Sequence, residues 1–167
     1  MFAEAMRSRR TLIATALALT IGAVGSIKAQ APAAGISLAE ALQVIEAAQK
    51  EAAGHNYRLS FAVVDARGDL IALARMPGAG AATADTAIGK AMLSAFFGQP
   101  SAAMTQAATS PVVQAMNEST GGRFRFLQGA LPVVRGGRTV GAVAASGATS
   151  QQDEDTVRAA LAVVPLQ

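Results

Sequence analysis

The sequence predicts an α+β fold in which an antiparallel sheet of four or five strands is covered by helices. Two runs rich in β-branched and apolar residues, Leu59 to Val64 and Leu70 to Ala74, are joined by the tight connection Asp65-Ala66-Arg67-Gly68-Asp69. A second pair, Leu131 to Arg135 and Thr139 to Ala145, meets at Gly136-Gly137, a strong two-residue turn signal. Segments before, between and after these hairpins carry apolar residues at helical spacing. Hairpins build antiparallel sheets, and the apolar face of a sheet needs helices to cover it.

The chain opens with a stretch that reads as an export signal, residues 1–29. Arg7, Arg9 and Arg10 form a basic region, and Thr11 to Val24 follows as an apolar run of about fourteen residues, too short for an ordinary membrane span. Ile27-Lys28-Ala29 offers a small-residue cleavage site; an uncleaved anchor is the alternative. Ser8-Arg9-Arg10-Thr11-Leu12-Ile13 also has the form of a twin-arginine signal, with the general secretory route as the other reading. Either route predicts a periplasmic or secreted protein.

Residues 30–36 read as a linker rich in Ala and Pro, and the domain as 37–167. Ser37 and Glu40 form a capping box for a first helix over about 38–53, carried by Leu38, Ala41, Leu42 and Ile45 and stopped by Gly54. After the first hairpin, Thr83 or Asp85 caps a helix over about 84–97, ended by Gly98 and Pro100. Ser101 and Ser110-Pro111 start two shorter helical pieces, and Asn117 to Arg123 reads as a polar loop. Pro132 suits a strand start or an edge. A last helix over about 151–163 has Ser150 as its N-cap and acidic residues in its first turn.

Composition narrows the function. Removing Arg7, Arg9, Arg10 and Lys28 from the 14 Lys+Arg, and Glu4 from the 11 Asp+Glu, leaves ten of each, so the exported chain is formally neutral. The pI near 10 therefore belongs partly to the signal and does not point to nucleic acid. An aromatic content of 4% gives no platform for stacked bases. With no cysteine there is neither a disulfide framework nor a thiolate metal site, and with a single histidine most nucleophilic triads are unavailable.

A few residues remain as candidates for chemistry. His55 is either an axial heme or metal ligand or an exposed residue of a helix-to-strand loop, and Tyr57 is a second candidate iron ligand. Met76 follows a strand beside a loop and is placed to approach a ligand. Arg75 and Lys90 suit a substrate carboxylate, or else pair with Asp65, Asp69 or Asp85. Asp65 has turn chemistry as its plainer role, with general acid or base as the other. Ser146 to Ser150, including Gly147, precedes a helix N-terminus suited to an anion, or simply caps itself. Arg123 and Arg125 flank Phe124 and suit either a flat anionic ligand or an oligomer contact.

Read together, Ala62 to Leu70, Ala74-Arg75-Met76, Ala87 to Ala91, Gly129 to Val133, Val140-Gly141-Ala142, Ser146-Gly147 and Gln152-Asp153-Glu154 resemble the GlcG/HbpS-like heme-binding family, in order, over about residues 36–165. The resemblance implies a profilin-like fold, homo-oligomers and heme binding. In some relatives it implies heme degradation or extracellular sensing with a membrane kinase. Heme is thus the implied cofactor, with heme or another small anionic ligand, a second copy and a membrane sensor as implied partners. Arg75, Met76, Lys90, Leu93, Arg125, Ser146, Gly147 and His55 are the expected heme-binding residues, with His55 the expected metal ligand. The chain departs from the family at Lys90-Ala91-Met92-Leu93-Ser94, where the usual reading is Lys-Ala-Arg-Thr-Ala. The threonine associated with heme in part of the family is thus Leu93. Gly129-Ala130 stands where the family has two glycines. Heme binding ranks first on this reading, then interaction or sensing, then an enzyme using Asp65 and Lys90.

Overall fold

The computed structural model describes residues 35–164 and 166; the segment expected as an export signal, 1–29, and most of the expected linker lie outside them. Among the described residues the order is α1 (Leu38–Gly54), β1 (Ser60–Asp65), β2 (Leu70–Arg75), α2 (Thr83–Phe97), two 3-10 turns (Ser101–Met104 and Gln106–Thr109), α3 (Pro111–Ser119), β3 (Ala130–Arg135), β4 (Arg138–Ser146) and α4 (Ser150–Val163). The four strands form one antiparallel sheet in the order β2-β1-β4-β3, so the two predicted hairpins join edge to edge through β1 and β4.

The strand period of two divides the core. From β1, Phe61 and Val63, with Leu59 just before the strand, face α1 and α4, where Val44, Ile45, Ala48, Val157 and Ala160 meet them. Ala62 and Val64 face α2, together with Ala130, Ala142 and Ala144. The alanines on that face let α2 lie close to the sheet. Segment 123–126 then covers the far side of α2, so eight residues of this helix are buried rather than a single stripe. Gly141 lies where a Cβ would come within 2.2 Å of the Val64 carbonyl oxygen, so only glycine fits at this point of the central strand pair.

The turn chemistry follows the sequence. Gly68 has φ 85°, the left-handed value that closes the longer Asp65–Asp69 connection, and Gly136 and Gly137 have φ 55° and 76°, as a two-residue hairpin turn requires. Other boundaries move. β1 begins at Ser60, and the pairing of Val63 with Ala72 and Val64 with Leu70 leaves Ile71 as a bulge. The N-cap of α2 is Ala82, with no side-chain cap. Thr83, expected as a cap, donates its hydroxyl to the Gly80 carbonyl at 2.7 Å instead. The N-cap of α4 is Thr149 rather than Ser150, because Thr149 and Gln152 make the reciprocal capping box. α3 extends to Ser119, which shortens the loop expected from Asn117.

At α1 the capping box forms as expected: the Ser37 N–H donates to Glu40 at 2.8 Å and the Glu40 N–H donates to the Ser37 hydroxyl at 3.2 Å. Arg135 of β3 also pairs with Glu40, fastening the helix start to the second hairpin. The Ser37 backbone N–H, then its hydroxyl, hold the Glu40 carboxyl below its ordinary value of 4.5, and Arg135 adds to this against the cost of burial. A carboxyl depressed in the folded state stabilises above its unfolded value, and that contribution is lost as pH falls through the folded value. Urea midpoints measured from neutral pH to below 4.5 should therefore drop more steeply for the wild type than for Glu40→Gln.

Candidate functional site

Strand register gathers polar side chains at one end of the sheet. Ser60 pairs with Arg75 on one side and Ser146 on the other, and all three belong to the α2 face. Ser60 and Thr83 meet at 2.8 Å, joining β1 to the start of α2. The Arg75 guanidinium reaches the carbonyls of Ala79 and Gly80, so it folds the 77–80 loop against its own strand while remaining exposed. Gly147 has φ 140°, and a Cβ there would lie 2.5 Å from the Arg58 carbonyl. Met76 donates its N–H to Leu59 at 3.0 Å, and its side chain packs half-buried against the core on the opposite face.

Lys90 lies in the interior beside this end. Its Nζ donates to Asp153 Oδ2 at 2.8 Å and to the Ala145 carbonyl at 3.1 Å, while Asp153 Oδ1 accepts the Ala148 N–H at 3.0 Å. The side chains of the pair are only 2% and 3% exposed, so this ion pair is shielded from water. It ties α2 to the end of β4 and to the first turn of α4. Gly129 makes room for it: a Cβ there would lie 2.7 Å from Nζ. The surface partners expected for Lys90 do not engage it, because the helix turns its stem inward along the alanine-lined sheet face. Asp153 is the functional neighbour that sequence reasoning missed. Its position in a first helical turn reads as an ordinary dipole contact, and only the tertiary fold brings Lys90 to it.

Asp65 is at the other end of β1. Its Oδ1 accepts the N–H groups of Arg67 and Asp69 at 2.8 and 2.9 Å, which is turn chemistry. Asp65 pairs with Gly141, and Lys90 reaches Ala145. Four residues along β4 span roughly 13 Å. The Asp65–Lys90 pair on which an enzyme reading rested therefore does not assemble.

The other expected residues separate. Leu93 is wholly buried in the core on the α2 face. Arg125 crosses α2 at Gly89, where its N–H donates to the Gly89 carbonyl at 3.2 Å; its guanidinium turns to the carbonyls of Gly122 and Phe124 and stays exposed. Gly89 is six residues into the helix from Thr83, roughly 9 Å along the axis. Two exposed guanidiniums, Arg75 and Arg125, thus flank the first half of α2. Phe124 is buried among Phe96, Phe97 and Phe126. His55 lies where α1 ends, its side chain 56% exposed, with Nε2 3.1 Å from Glu51 and its ring stacked on Tyr57. Among the described residues no three His, Cys, Asp or Glu side chains converge as a metal site.

Two open concavities lie elsewhere. One, of about 540 Å³, runs between β3 and the end of α4, lined by Pro132, Val134, Leu161 and Val163 among others. The second, of about 310 Å³, lies by the hairpin tips, between Asp65, Arg67 and Arg138. Neither includes Arg75, Lys90, Ser146 or Arg125.

Comparison with known proteins places this geometry in context. A family model described as "Haem degrading protein HbpS-like" matches residues 36–162. A Citrobacter freundii protein, described as an uncharacterized 15.0 kDa protein in the dhaT-dhaS intergenic region, is 31% identical over 132 residues, covering 77% of this chain and 91% of that one. The crystal structure of a double mutant of Streptomyces reticuli HbpS superposes with a TM-score of 0.70 at 27% identity, over 81% of this chain and 90% of that one. Klebsiella pneumoniae protein ORFY gives a TM-score of 0.71 at 28% identity, over 82% of this chain and 96% of that one.

Proposed function

Since the chain belongs to the HbpS-like family, we propose that it is an exported heme-binding protein that acts as a homo-oligomer, as a sensor or carrier of heme outside the cytoplasm. The observation that carries the reading is the family match over residues 36–162, nearly the whole domain. The chemistry of the exposed residues is compatible with it. Arg75 and Arg125 present guanidiniums suited to propionate carboxylates, each held in place by backbone carbonyls. His55 supplies an imidazole for iron once Nε2 leaves Glu51. Burial of the flat macrocycle would add about 25 cal/mol per Å² of apolar surface. Lys90 and Leu93, by contrast, have no free surface for such a ligand, so any contact with heme comes from their exposed neighbours. Neither of the two concavities described above includes Arg75 or Arg125. The export signal at 1–29 supports a location outside the cytoplasm.

Hemin titration of the exported protein is the test. The wild type should show a saturable Soret shift, Arg75→Ala should weaken binding by about 10-fold, and His55→Ala should change the band position by removing an iron ligand. Absence of a saturable shift in the wild type ends the heme reading. The mass of the protein recovered from the periplasm or medium should begin near Gln30; recovery of the intact chain in the cytoplasm ends the export reading.

A further inference from the structure

We infer that the 3-10 turn Ser101–Met104 is a strap that seals the outer edge of β3 and, with Pro132, bars an added strand from pairing there. The inference concerns the sheet itself and stands whether or not the chain binds heme. β2 and β3 are the two edges of the sheet. Strand register fixes which backbone groups of β3 point outward. Ala145 donates its N–H to the Gly129 carbonyl at 2.9 Å, and Ala130 lies opposite Ala144. Bonding groups alternate along an antiparallel strand, so Gly129, Leu131 and Val133 face β4 while Ala130 and Pro132 turn away from it. The outward N–H of Ala130 donates to Ser101 Oγ at 2.9 Å, and both residues are fully buried. Pro132 has no N–H to offer. Past it the pairing shifts between Val133 and Val134, which ends the regular edge. From Ala130 to Val133 an incoming strand would meet outward carbonyls and no free donor. The strap is also fastened at its root. Ser94, in the last turn of α2, donates its hydroxyl to the Gln99 carbonyl at 2.7 Å, and Pro100 leads from there into Ser101.

The composition of β3 gives the strap its purpose. No charged residue lies between Arg125 and Arg135. Val134 and Val163, beside the concavity between β3 and α4, are 55% and 70% exposed. A short, uncharged, apolar run on an open edge is a template for cross-β growth. The opposite edge is protected by other means. β2 follows Asp69, ends in Arg75 and carries the Ile71 bulge, and charges and bulges both oppose edge pairing.

Hydrogen exchange and fibre growth of the exported protein test the strap. In the wild type the Ala130 amide should exchange as slowly as the ladder amides of Leu131 and Val133. Ser101→Ala should speed exchange at Ala130 by about 10-fold or more and leave the ladder amides slow. Ser101→Ala with Pro132→Val should form thioflavin-positive fibres under agitation after a lag about 10-fold shorter than that of the wild type. Val134→Lys added to that pair should restore the lag, because an edge lysine opposes strand addition. Gly89→Ala, destabilised within α2, controls for loss of stability alone. Should the double variant not fold, Pro132→Val alone enters the same assay. Exchange at Ala130 that is unchanged by Ser101→Ala overturns the strap. A folded double variant whose lag is no shorter than that of Gly89→Ala, or fibres that Val134→Lys does not slow, overturns the barrier to strand addition.

Discussion

Lys90→Met should cost the domain about 3–5 kcal/mol of stability, the usual penalty for leaving one half of a buried ion pair without its partner. The size follows from where the charges lie. Asp153 is almost fully buried, and among the described residues Lys90 and the Ala148 N–H satisfy its oxygens. Methionine fills much of the lysine's volume, so the loss measures the orphaned carboxylate and the unpaired Ala145 carbonyl rather than a cavity. The second variant separates these contributions. Asp153→Asn in the Lys90→Met background removes the stranded charge yet keeps an oxygen for the Ala148 N–H. It should recover about half of the loss or more, because a neutral buried amide costs far less than an unpaired carboxylate. Urea denaturation of the wild type, both single variants and the double variant closes the cycle. If Lys90→Met falls within about 1 kcal/mol of the wild type, the pair is not the shielded link described above, and the order it imposes on the end of β4 and the start of α4 has another source.

That pair also marks where the sequence stops being readable. The hairpins were legible because backbone geometry is written in residue type: Gly68, Gly136 and Gly137 adopt the left-handed φ values their turns demand. The start of α1 was legible because a Ser and a Glu three positions later satisfy each other locally. At α4 the same logic placed the cap one residue late. Thr149 and Ser150 are equivalent by type, and the decision falls to Gln152, which reaches back to the Thr149 N–H. Residues whose role depends on another element were not legible. α2 is covered on two sides, so its eight buried residues do not show the one-faced period by which a surface helix is recognised. Lys90 falls within that burial, and nothing in the spacing of residues 90 and 153 indicates that they meet. Arg75, Ser60 and Ser146 share one end of the sheet only because β1 lies between β2 and β4. That strand order is a tertiary fact that two separate hairpin signals do not contain.

Gly89→Ala tests the other close approach that holds the candidate site, and two effects of opposite sign compete there. Gly89 lies inside α2, where glycine costs about 1 kcal/mol relative to alanine, so helix propensity alone predicts a more stable protein. Packing predicts the reverse. A Cβ at this position would lie 2.4 Å from Arg125 Cγ and 2.5 Å from the Arg123 carbonyl oxygen. The arginine stem has room to swing, but the carbonyl belongs to the backbone that crosses the helix here, and the Arg125 N–H is bonded to Gly89 itself. Relieving the clash means lifting segment 123–125 from α2. That breaks the crossing hydrogen bond and loosens Phe124 from Phe96 and Phe97. Overpacking of this kind costs about 1–3 kcal/mol, and with the broken hydrogen bond it should exceed the gain in propensity. The variant should therefore be less stable by about 1–2 kcal/mol, with faster hydrogen exchange at the Arg125 amide. Gly54→Ala supplies the control, because a Cβ there meets nothing within 4 Å and propensity acts unopposed. If Gly89→Ala were as stable as the wild type or more so, the crossing would be a loose contact, and Arg125 would lose the rigid footing that fits it to grip a ligand beside α2.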